Sequence, residues 1–184
     1  VCLQEVFTER ARLYYKEQLE RAGYTVCIPK DRDVTLLTSG LVTAVLDDLY
    51  EVRSECFCSY QHFHNVEWFA NKGFHVVRLY HKVAKRNFSI ANTHTQSDTE
   101  VSWWFGRAIT HYMRRKQVEQ ILDFLEGDRA PCFVVGDLNC EYSPHPHLRF
   151  LQSTALLRKR TFYKTGEDLD HIGWLPLQWF RSEG

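Results

Sequence analysis

The segment Phe133-Val134-Val135-Gly136-Asp137-Leu138-Asn139 joins an apolar run to a polar turn. Three apolar residues in a row, two of them β-branched, are typical of a buried strand. Asp137 and Asn139 stand two residues apart, so in extended chain both side chains would point to the same side. The alternative is an Asx turn, for which Gly-Asp-x-Asn is suitable. The sequence thus predicts a carboxylate and an amide side by side where a buried strand meets solvent.

Three further segments place polar side chains at the ends of predicted strands. They are Leu3-Gln4-Glu5-Val6, Asn92-Thr93-His94-Thr95 and Asp168-Leu169-Asp170-His171. A carboxylate at the end of a buried strand is costly unless it binds a cation or a hydrogen-bond partner. Together with the Gly-Asp-Leu-Asn turn, these segments predict one site assembled from residues far apart in the chain.

The residue types of the four segments suit hydrolysis of a phosphate ester. Glu5 could be a Mg²⁺ ligand, because Mg²⁺ binds through one or two carboxylates and completes its shell with water and phosphate; the alternative is a cap or salt bridge to the next helix. His94 could donate a proton or stabilise negative charge, although a lone strand histidine is more often a hydrogen-bonded wall residue. Asp137 could orient a water molecule, and Asn139 could bind a phosphoryl oxygen.

Asp170 and His171 are adjacent on a predicted strand, so their side chains should face opposite ways. Only one of the two is expected to enter the site, and we predict that it is Asp170.

The charge balance of the sequence bears on the class of protein. The 184 residues carry 23 Lys and Arg against 23 Asp and Glu, so the formal net charge is zero. This balance disfavours a nonspecific nuclease, because phosphate contacts need cations. The one clear basic run is Arg114-Arg115-Lys116, which reads as a solvated helix start. No apolar run is long enough to cross a membrane.

Periodicity predicts alternating helices and strands. Thr8 is expected to cap a helix ending near Ala22, with Gly23 as its stop. A second helix is predicted over 107–126, and Ser143-Pro144 is expected to open a third helix to about Leu157. The second helix is expected to pack through Ile109, Tyr112, Met113, Ile121, Leu122 and Leu125. Strands are predicted near 1–6, 24–28, 40–46, 74–80, 88–93, 131–135 and 170–175. Several follow one another directly, which suggests two stacked sheets flanked by helices.

In these motifs the sequence resembles the endonuclease/exonuclease/phosphatase superfamily, whose fold is that of deoxyribonuclease I. The resemblance spans nearly the whole chain. It is carried by Leu3–Val6, Thr38-Ser39-Gly40-Leu41, Asn92-Thr93-His94, the Arg114-x-x-Gln117 pair, Gly136–Asn139 and Leu169-Asp170-His171-Ile172.

The resemblance implies an α+β fold, a four-layer α/β/β/α sandwich of two stacked mixed sheets flanked by helices. It implies a Mg²⁺-dependent phosphodiesterase with Glu5 as metal ligand and with His94, Asp137, Asn139 and Asp170 as catalytic residues. It further implies that Asn92 and Arg114 bind substrate. Residues 1–184 would form a single domain truncated at both ends, because the superfamily's first strand and its terminal Ser-Asp-His strand are not in the sequence.

Within the superfamily, Asn71-Lys72-Gly73-Phe74 and Asn92-Thr93-His94-Thr95-Gln96 look most like neutral sphingomyelinase-type phosphodiesterases. This implies a phospholipid substrate in preference to a nucleic acid, with peripheral membrane contact through Trp103, Trp104 and Phe105 in a loop before the long helix. Two alternatives stay open: a nuclease or phosphoinositide phosphatase with the same chemistry, and an inactive fragment or binding module.

Overall fold

The computed structural model describes residues 1–30, 38–62, 71–98, 104–128, 130–140, 145–150 and 170–174, and within them the strands form two sheets. The first sheet contains β1 (Cys2–Leu3), β2 (Tyr24–Cys27) and β3 (Val42–Leu46) in the order β1-β3-β2, with antiparallel pairs. The second has the order β4-β5-β6-β7-β9-β8. Its strands are β4 (Tyr50–Ser59), β5 (Gly73–His81), β6 (Arg86–His94), β7 (Cys132–Asp137), β8 (Arg149–Phe150) and β9 (Asp170–Trp174).

The second sheet is mixed because β6 and β7 run parallel while its other neighbouring strands are antiparallel. A parallel pair needs a crossover connection. Here helix α2 (Trp104–Leu125) supplies it. The parallel arrangement brings the carboxyl ends of β6 and β7 to the same edge, where the predicted polar segments begin.

Helix α1 (Glu9–Arg21) confirms the predicted cap and stop. Thr8 Oγ1 accepts a hydrogen bond from the Ala11 amide at 3.2 Å, and Gly23 has a φ of +83° just past the helix end. The buried side chain on this helix is Arg12, whose guanidinium donates to Val6 O at 3.3 Å and to Ser39 Oγ at 2.9 Å. Helix α1 therefore fastens the chain that follows β1.

Helix α2 covers the second sheet. Its buried apolar residues Val118, Ile121, Leu122 and Leu125 pack with Phe74, Val76, Ala91 and Val134 of the sheet. The prediction was wrong for Ile109 and Tyr112, which are 39% and 53% exposed. The buried positions in that half of the helix belong instead to Thr110, Arg114 and Gln117. They face the polar end of the sheet, so hydrogen-bonding side chains take the places that apolar residues take further along.

A second apolar cluster lies between the sheets and contains Cys27, Val45, Val77 and Leu79, with Phe88 and Ile90 packed against it. The order of layers is α1, first sheet, second sheet, α2. The predicted four-layer sandwich of stacked sheets flanked by helices is confirmed.

The helix predicted from Ser143 to Leu157 is wrong where the structure describes it. Residues 145–147 form a bend and turn, and Arg149–Phe150 is strand β8, paired with Trp174 and Gly173 of β9. Pairing at the sheet edge decides the conformation there against the local helix signal. Residues 141–144 and 151–157 lie outside the described residues.

Over the part of the chain that the structure describes, no helix is both long and apolar enough to span a membrane.

Candidate active site

His94, Asp137 and Asp170 are neighbours on three adjacent strands. His94 of β6 is the register partner of Asp137 of β7, and Asp137 is the partner of Asp170 of β9. Asp170 is placed here by its strand register alone. His94 Nε2 and Asp137 Oδ2 are 3.9 Å apart, which is too long for a hydrogen bond. The fold thus brings these three predicted residues into one row at the end of the second sheet.

The Asp137–Asn139 segment forms the Asx turn that the sequence left open. The Asn139 amide donates to Asp137 Oδ1 at 2.8 Å, and Asn139 adopts a left-handed φ of +50°. Asparagine tolerates this region better than most residues. The Asx turn and a catalytic role for Asp137 are compatible, because Oδ1 of Asp137 closes the turn while Oδ2 is the atom nearest His94.

The main chain of Thr95 joins the parts of the site. Its carbonyl accepts from Lys72 Nζ at 2.9 Å and from Asn139 Nδ2 at 3.1 Å, and its amide donates to Asp137 O at 2.9 Å. Lys72 is 8% exposed, so it brings a buried cation to the site. Lys72 was not predicted as a site residue. Its signal in the sequence is a lysine directly before the buried start of β5, in Asn71-Lys72-Gly73-Phe74.

His94 is neutral at neutral pH. Burial, and secondarily the charge of Lys72, lower its pKa from 6.5 to about 3. His94 and Asp137 consequently do not form an ion pair at neutral pH. His94 Nδ1 and Thr95 Oγ1 are buried without a hydrogen-bond partner among the described residues. A neutral imidazole can donate one N–H to a phosphoryl oxygen, but it is not the acid that the sequence also allowed.

The lowered pKa of His94 predicts a loss of stability in acid. The pKa is depressed on folding, so the contribution is complete above the unfolded value of 6.5 and is lost as pH falls toward 3. Between pH 6.5 and 5 the loss should be about 2 kcal/mol, at roughly 1.4 kcal/mol per pH unit. Urea unfolding at both pH values measures it. The His94→Gln variant should show a smaller change; an equal change in both proteins would contradict the assignment.

Arg114 of helix α2 is hydrogen-bonded to the Asx turn. Its guanidinium donates to Asn139 O, to Asp98 Oδ1 and, at 3.0 Å, to Thr110 Oγ1, and the residue is 5% exposed. Within the described residues, Arg114 Nε is buried without a partner. Arg114 therefore positions the turn, and its predicted contact with substrate stays a prediction.

Gln117, one turn further along α2, fixes two loops. Its Oε1 accepts from the Gln96 amide at 2.8 Å, and its Nε2 donates to His62 O at 2.8 Å. The Arg-x-x-Gln spacing thus lets one helix face hold both the turn after β7 and the chain after β6.

Asn92 lies between the two sheets and is 0% exposed. Its Nδ2 donates to Val42 O at 3.0 Å and Leu3 O at 3.3 Å, and its Oδ1 accepts from Gln4 Nε2 at 2.7 Å. Asn92 therefore ties the segment before Glu5 to the strand that carries His94. Its predicted contact with substrate stays a prediction.

Glu5 is exposed and adopts a left-handed φ of +60°. Such a conformation costs about 1–2 kcal/mol in a residue with a side chain. Its neighbours hold it from both sides, because Gln4 is bonded to Asn92 and the Val6 amide donates to Gly40 O at 2.9 Å. Among the described residues the Glu5 carboxylate has no hydrogen-bond or ion-pair partner, and β1 lies against β7.

The donor set fits Mg²⁺. The described residues contain no group of three or more His, Cys, Asp or Glu side chains that could form a complete protein cage. Mg²⁺ does not need one, because it binds through one or two carboxylates and keeps water and phosphate as its other ligands. A single exposed, unpartnered carboxylate at Glu5 suits that requirement.

Comparisons with known proteins bear on the fold. No family model matches the sequence, and no curated protein matches it. Among solved structures, sphingomyelinase C from Streptomyces griseocarneus is 19% identical with a TM-score of 0.73, over 96% of this chain and 70% of that one. A double mutant of beta toxin from Staphylococcus aureus with bound magnesium ions is 16% identical with a TM-score of 0.75, over 96% and 71%.

A third solved structure is the endonuclease/exonuclease/phosphatase from Bacteroides vulgatus, which is 14% identical with a TM-score of 0.65, over 91% of this chain and 69% of that one. The chain has the deoxyribonuclease I-like fold. The resemblance inferred from the short motifs is thereby confirmed at the level of the fold. In this fold the row of His94, Asp137 and Asp170 lies at the ends of central strands of the second sheet.

Proposed function

We propose that the protein is a metal-dependent phosphodiester hydrolase. The observation that carries the proposal is the gathering of His94, Asp137 and Asn139 around the Thr95 main chain at the ends of β6 and β7. The Gln4–Asn92 hydrogen bond holds the residue before Glu5 against β6, the strand that carries His94. A carboxylate, an amide, a neutral imidazole and a cation beside one another suit stabilisation of a phosphoryl group under attack.

The proposed roles follow from the hydrogen bonds already made. Asp137 orients the attacking water through Oδ2, the carboxylate oxygen on the side of His94. Asn139 has one amide hydrogen on Thr95 O and the other available for a phosphoryl oxygen. His94 donates its N–H to the same group. The role of Asp170 rests on the family resemblance alone, which implies that it positions a histidine base in a terminal strand.

Glu5 would hold Mg²⁺, which supplies Lewis-acid stabilisation of charge on the phosphoryl oxygens when it is bound. The beta toxin structure with bound magnesium ions supports the choice of metal. The strained backbone of Glu5 also supports a functional role, because strain in non-glycine residues concentrates at functional sites.

For the substrate we propose a phospholipid of the sphingomyelin kind. The basic run on α2 does not form a free cationic surface: Arg114 is buried against Asp98, and Arg115 and Lys116 pair with Glu119 at 3.0 and 2.6 Å. A nucleic acid would need such a surface. The solved sphingomyelinase C structure with the same fold supports a lipid substrate.

The first half of α2 supports contact with a lipid surface. Ile109 and Tyr112 are exposed one turn apart, on the helix that holds Arg114. Trp104 and Phe105 belong to the first turn of the same helix, not to a preceding loop as predicted, and Trp103 lies outside the described residues. The exposed pair of Ile109 and Tyr112, one apolar and one aromatic, is suited to a membrane interface.

The substrate is tested by assaying the full-length protein with Mg²⁺ on sphingomyelin vesicles and on single- and double-stranded DNA. We expect hydrolysis of the lipid and little cleavage of DNA. Cleavage of DNA without lipid hydrolysis would refute the phospholipid substrate and leave the phosphodiesterase chemistry in place. Absence of hydrolysis on every phosphodiester, including a soluble chromogenic one, would refute the proposed function.

The exposed pair gives a separate prediction. Replacing Ile109 and Tyr112 by Ser should weaken binding to sphingomyelin vesicles by about tenfold, because roughly 1.4 kcal/mol of apolar burial is lost. Turnover on a soluble phosphodiester should change little. Vesicle co-sedimentation measures binding. Val83→Ser is the matched control, since Val83 is 73% exposed but lies in the turn before β6, at the opposite end from His94. Equal losses in both proteins would contradict a specific lipid-binding pair.

A further inference from the structure

A chain of hydrogen bonds runs between the two sheets from the edge strand β4 to Gln4. Glu55 Oε2 and His75 Nε2 are 3.2 Å apart, His75 Nδ1 and Thr43 Oγ1 3.3 Å, Thr43 Oγ1 and Asn92 Nδ2 3.3 Å, and Asn92 Oδ1 and Gln4 Nε2 2.7 Å. Its middle members are at most 1% exposed, whereas the Glu55 side chain is 43% exposed. A polar path thus crosses an otherwise apolar interior.

The donors and acceptors of this path can be assigned by elimination. Two backbone carbonyls, of Leu3 and Val42, lie beside Asn92 Nδ2 and fix the orientation of the amide. Asn92 therefore accepts from Gln4, and its Nδ2, whose two hydrogens are shared among three acceptors, donates to Thr43 Oγ1. The Glu55 carboxylate accepts, so His75 directs a proton on Nε2 toward it, and His75 Nδ1 then accepts from the Thr43 hydroxyl. Every bond in the path therefore has its donor on the Gln4 side and its acceptor on the Glu55 side.

The path ends beside Glu5, whose backbone is in a left-handed conformation. The side chain of Gln4 reaches Asn92, and the other neighbour, Val6, is held by Gly40. Glu5 itself is held by neither a hydrogen bond nor an ion pair within the described residues. The position of its carboxylate therefore depends on the two neighbours, and the position of Gln4 depends on the buried path.

We propose that His75 and Thr43 are positioning residues that hold Glu5 in place through Asn92 and Gln4. The functional part of this inference rests on the proposed role of Glu5 as the Mg²⁺ ligand. Groups that orient a metal ligand through hydrogen bonds affect metal affinity by about 10–100-fold when they are replaced. His75 and Thr43 would act at a distance, since neither touches Glu5 or the reacting atoms.

The decisive variant is Thr43→Val, which keeps the side-chain shape and removes the hydroxyl between His75 and Asn92. Hydrogen exchange of the Val6 amide, which donates to Gly40 O beside Glu5, and the NMR signals of the Gln4 side-chain amide report the local order, and calorimetric titration with Mg²⁺ reports affinity. We expect exchange at Val6 to be faster and Mg²⁺ affinity to be about tenfold lower. Turnover on a soluble phosphodiester at saturating Mg²⁺ should change less than the Mg²⁺ affinity.

Two controls separate positioning from a general loss of structure. Thr43→Ser restores the hydroxyl and should return both readouts to wild-type values. Thr25→Val removes a hydroxyl from the same sheet, where it donates to the Asp47 carboxylate at the surface, and should change neither readout. Should Thr43→Val fail to fold, Glu55→Ala at the exposed end of the path is the second variant, because it removes the acceptor of the His75 hydrogen, with changes in the same direction.

The outcomes distinguish this inference from the proposed function. Unchanged Val6 exchange and unchanged Gln4 signals in Thr43→Val would overturn the positioning role, whether or not the protein binds Mg²⁺. Wild-type protein that shows neither Mg²⁺ binding nor hydrolysis would overturn the proposed function and with it the metal-positioning role. If exchange were still altered in Thr43→Val, only the structural link between the path and Glu5 would stand. A proton on Nδ1 of His75 in the ¹⁵N spectrum would overturn the assigned direction of the path.

Discussion

Replacing Asp137 with Asn should lower turnover by about 10²-fold or more, as removal of one group that stabilises the transition state commonly does. The charge on Oδ2, the atom nearest His94, is lost. An asparagine keeps the Oδ1 acceptor that closes the Asx turn with the Asn139 amide, so the local fold should be retained. The measurement is kcat on a soluble phosphodiester with Mg²⁺, together with the urea midpoint of both proteins.

Asp48→Asn is the matched control for this substitution, because Asp48 is exposed in the turn before β4. It removes one carboxylate of the same kind and should leave kcat unchanged. Wild-type turnover in Asp137→Asn would place the reacting groups elsewhere in the molecule. A large drop in the urea midpoint of Asp137→Asn would instead show that its carboxylate serves the fold.

Gly136→Ala should destabilise the protein by about 4 kcal/mol or more, which is at the upper end for single substitutions. Gly136 has a φ of +141°, and a Cβ at this position would lie 1.9 Å from Thr93 O on the neighbouring strand. Neither backbone can move without breaking the β6–β7 pairing that aligns His94 with Asp137. Urea unfolding measures the loss.

Gly127→Ala is the control, since a Cβ there meets nothing within 4 Å. Its effect should stay within about 0.5 kcal/mol, as for most surface substitutions. Equal effects of the two substitutions would contradict the close approach of β6 and β7. Both variants should be compared at neutral pH, where His94 is uncharged.

The parts of the structure that depend on local chemistry were predictable from sequence. Thr8 and Gly23 mark the ends of α1 because a hydroxyl cap and a left-handed glycine act within a few residues. The apolar run before Asp137 gave β7 and its turn for the same reason. The succession of strands without intervening helices suggested two stacked sheets, and the family resemblance implied the same four-layer sandwich.

Features that depend on tertiary contacts were missed. Ile109 and Tyr112 have helical spacing that suits a core face, yet the end of the sheet that α2 covers there is polar, so Arg114 and Gln117 are buried instead. Arg149 and Phe150 became extended because β9 offered an unpaired edge. Neither outcome could be predicted from the neighbouring residues in the sequence.

The candidate site likewise combines residues that were predictable from sequence with contacts that depend on tertiary structure. His94 and Asp137 were predicted individually, but their alignment follows from a parallel register between strands nearly forty residues apart. Asn92 is buried because the two sheets pack against each other. Lys72 contacts the Thr95 carbonyl because β5 pairs with β6. Their residue types gave no sign of these partners.

The central claim is that residues at the ends of β6 and β7, with Glu5, form a metal-dependent phosphodiesterase site. The most direct measurement is hydrolysis of a soluble chromogenic phosphodiester by the full-length protein with Mg²⁺, with EDTA, and in the Glu5→Gln variant with Mg²⁺. We predict turnover in the first case, none with EDTA, and a much higher Mg²⁺ requirement in Glu5→Gln. Turnover that is unaffected by EDTA and by Glu5→Gln would contradict the account.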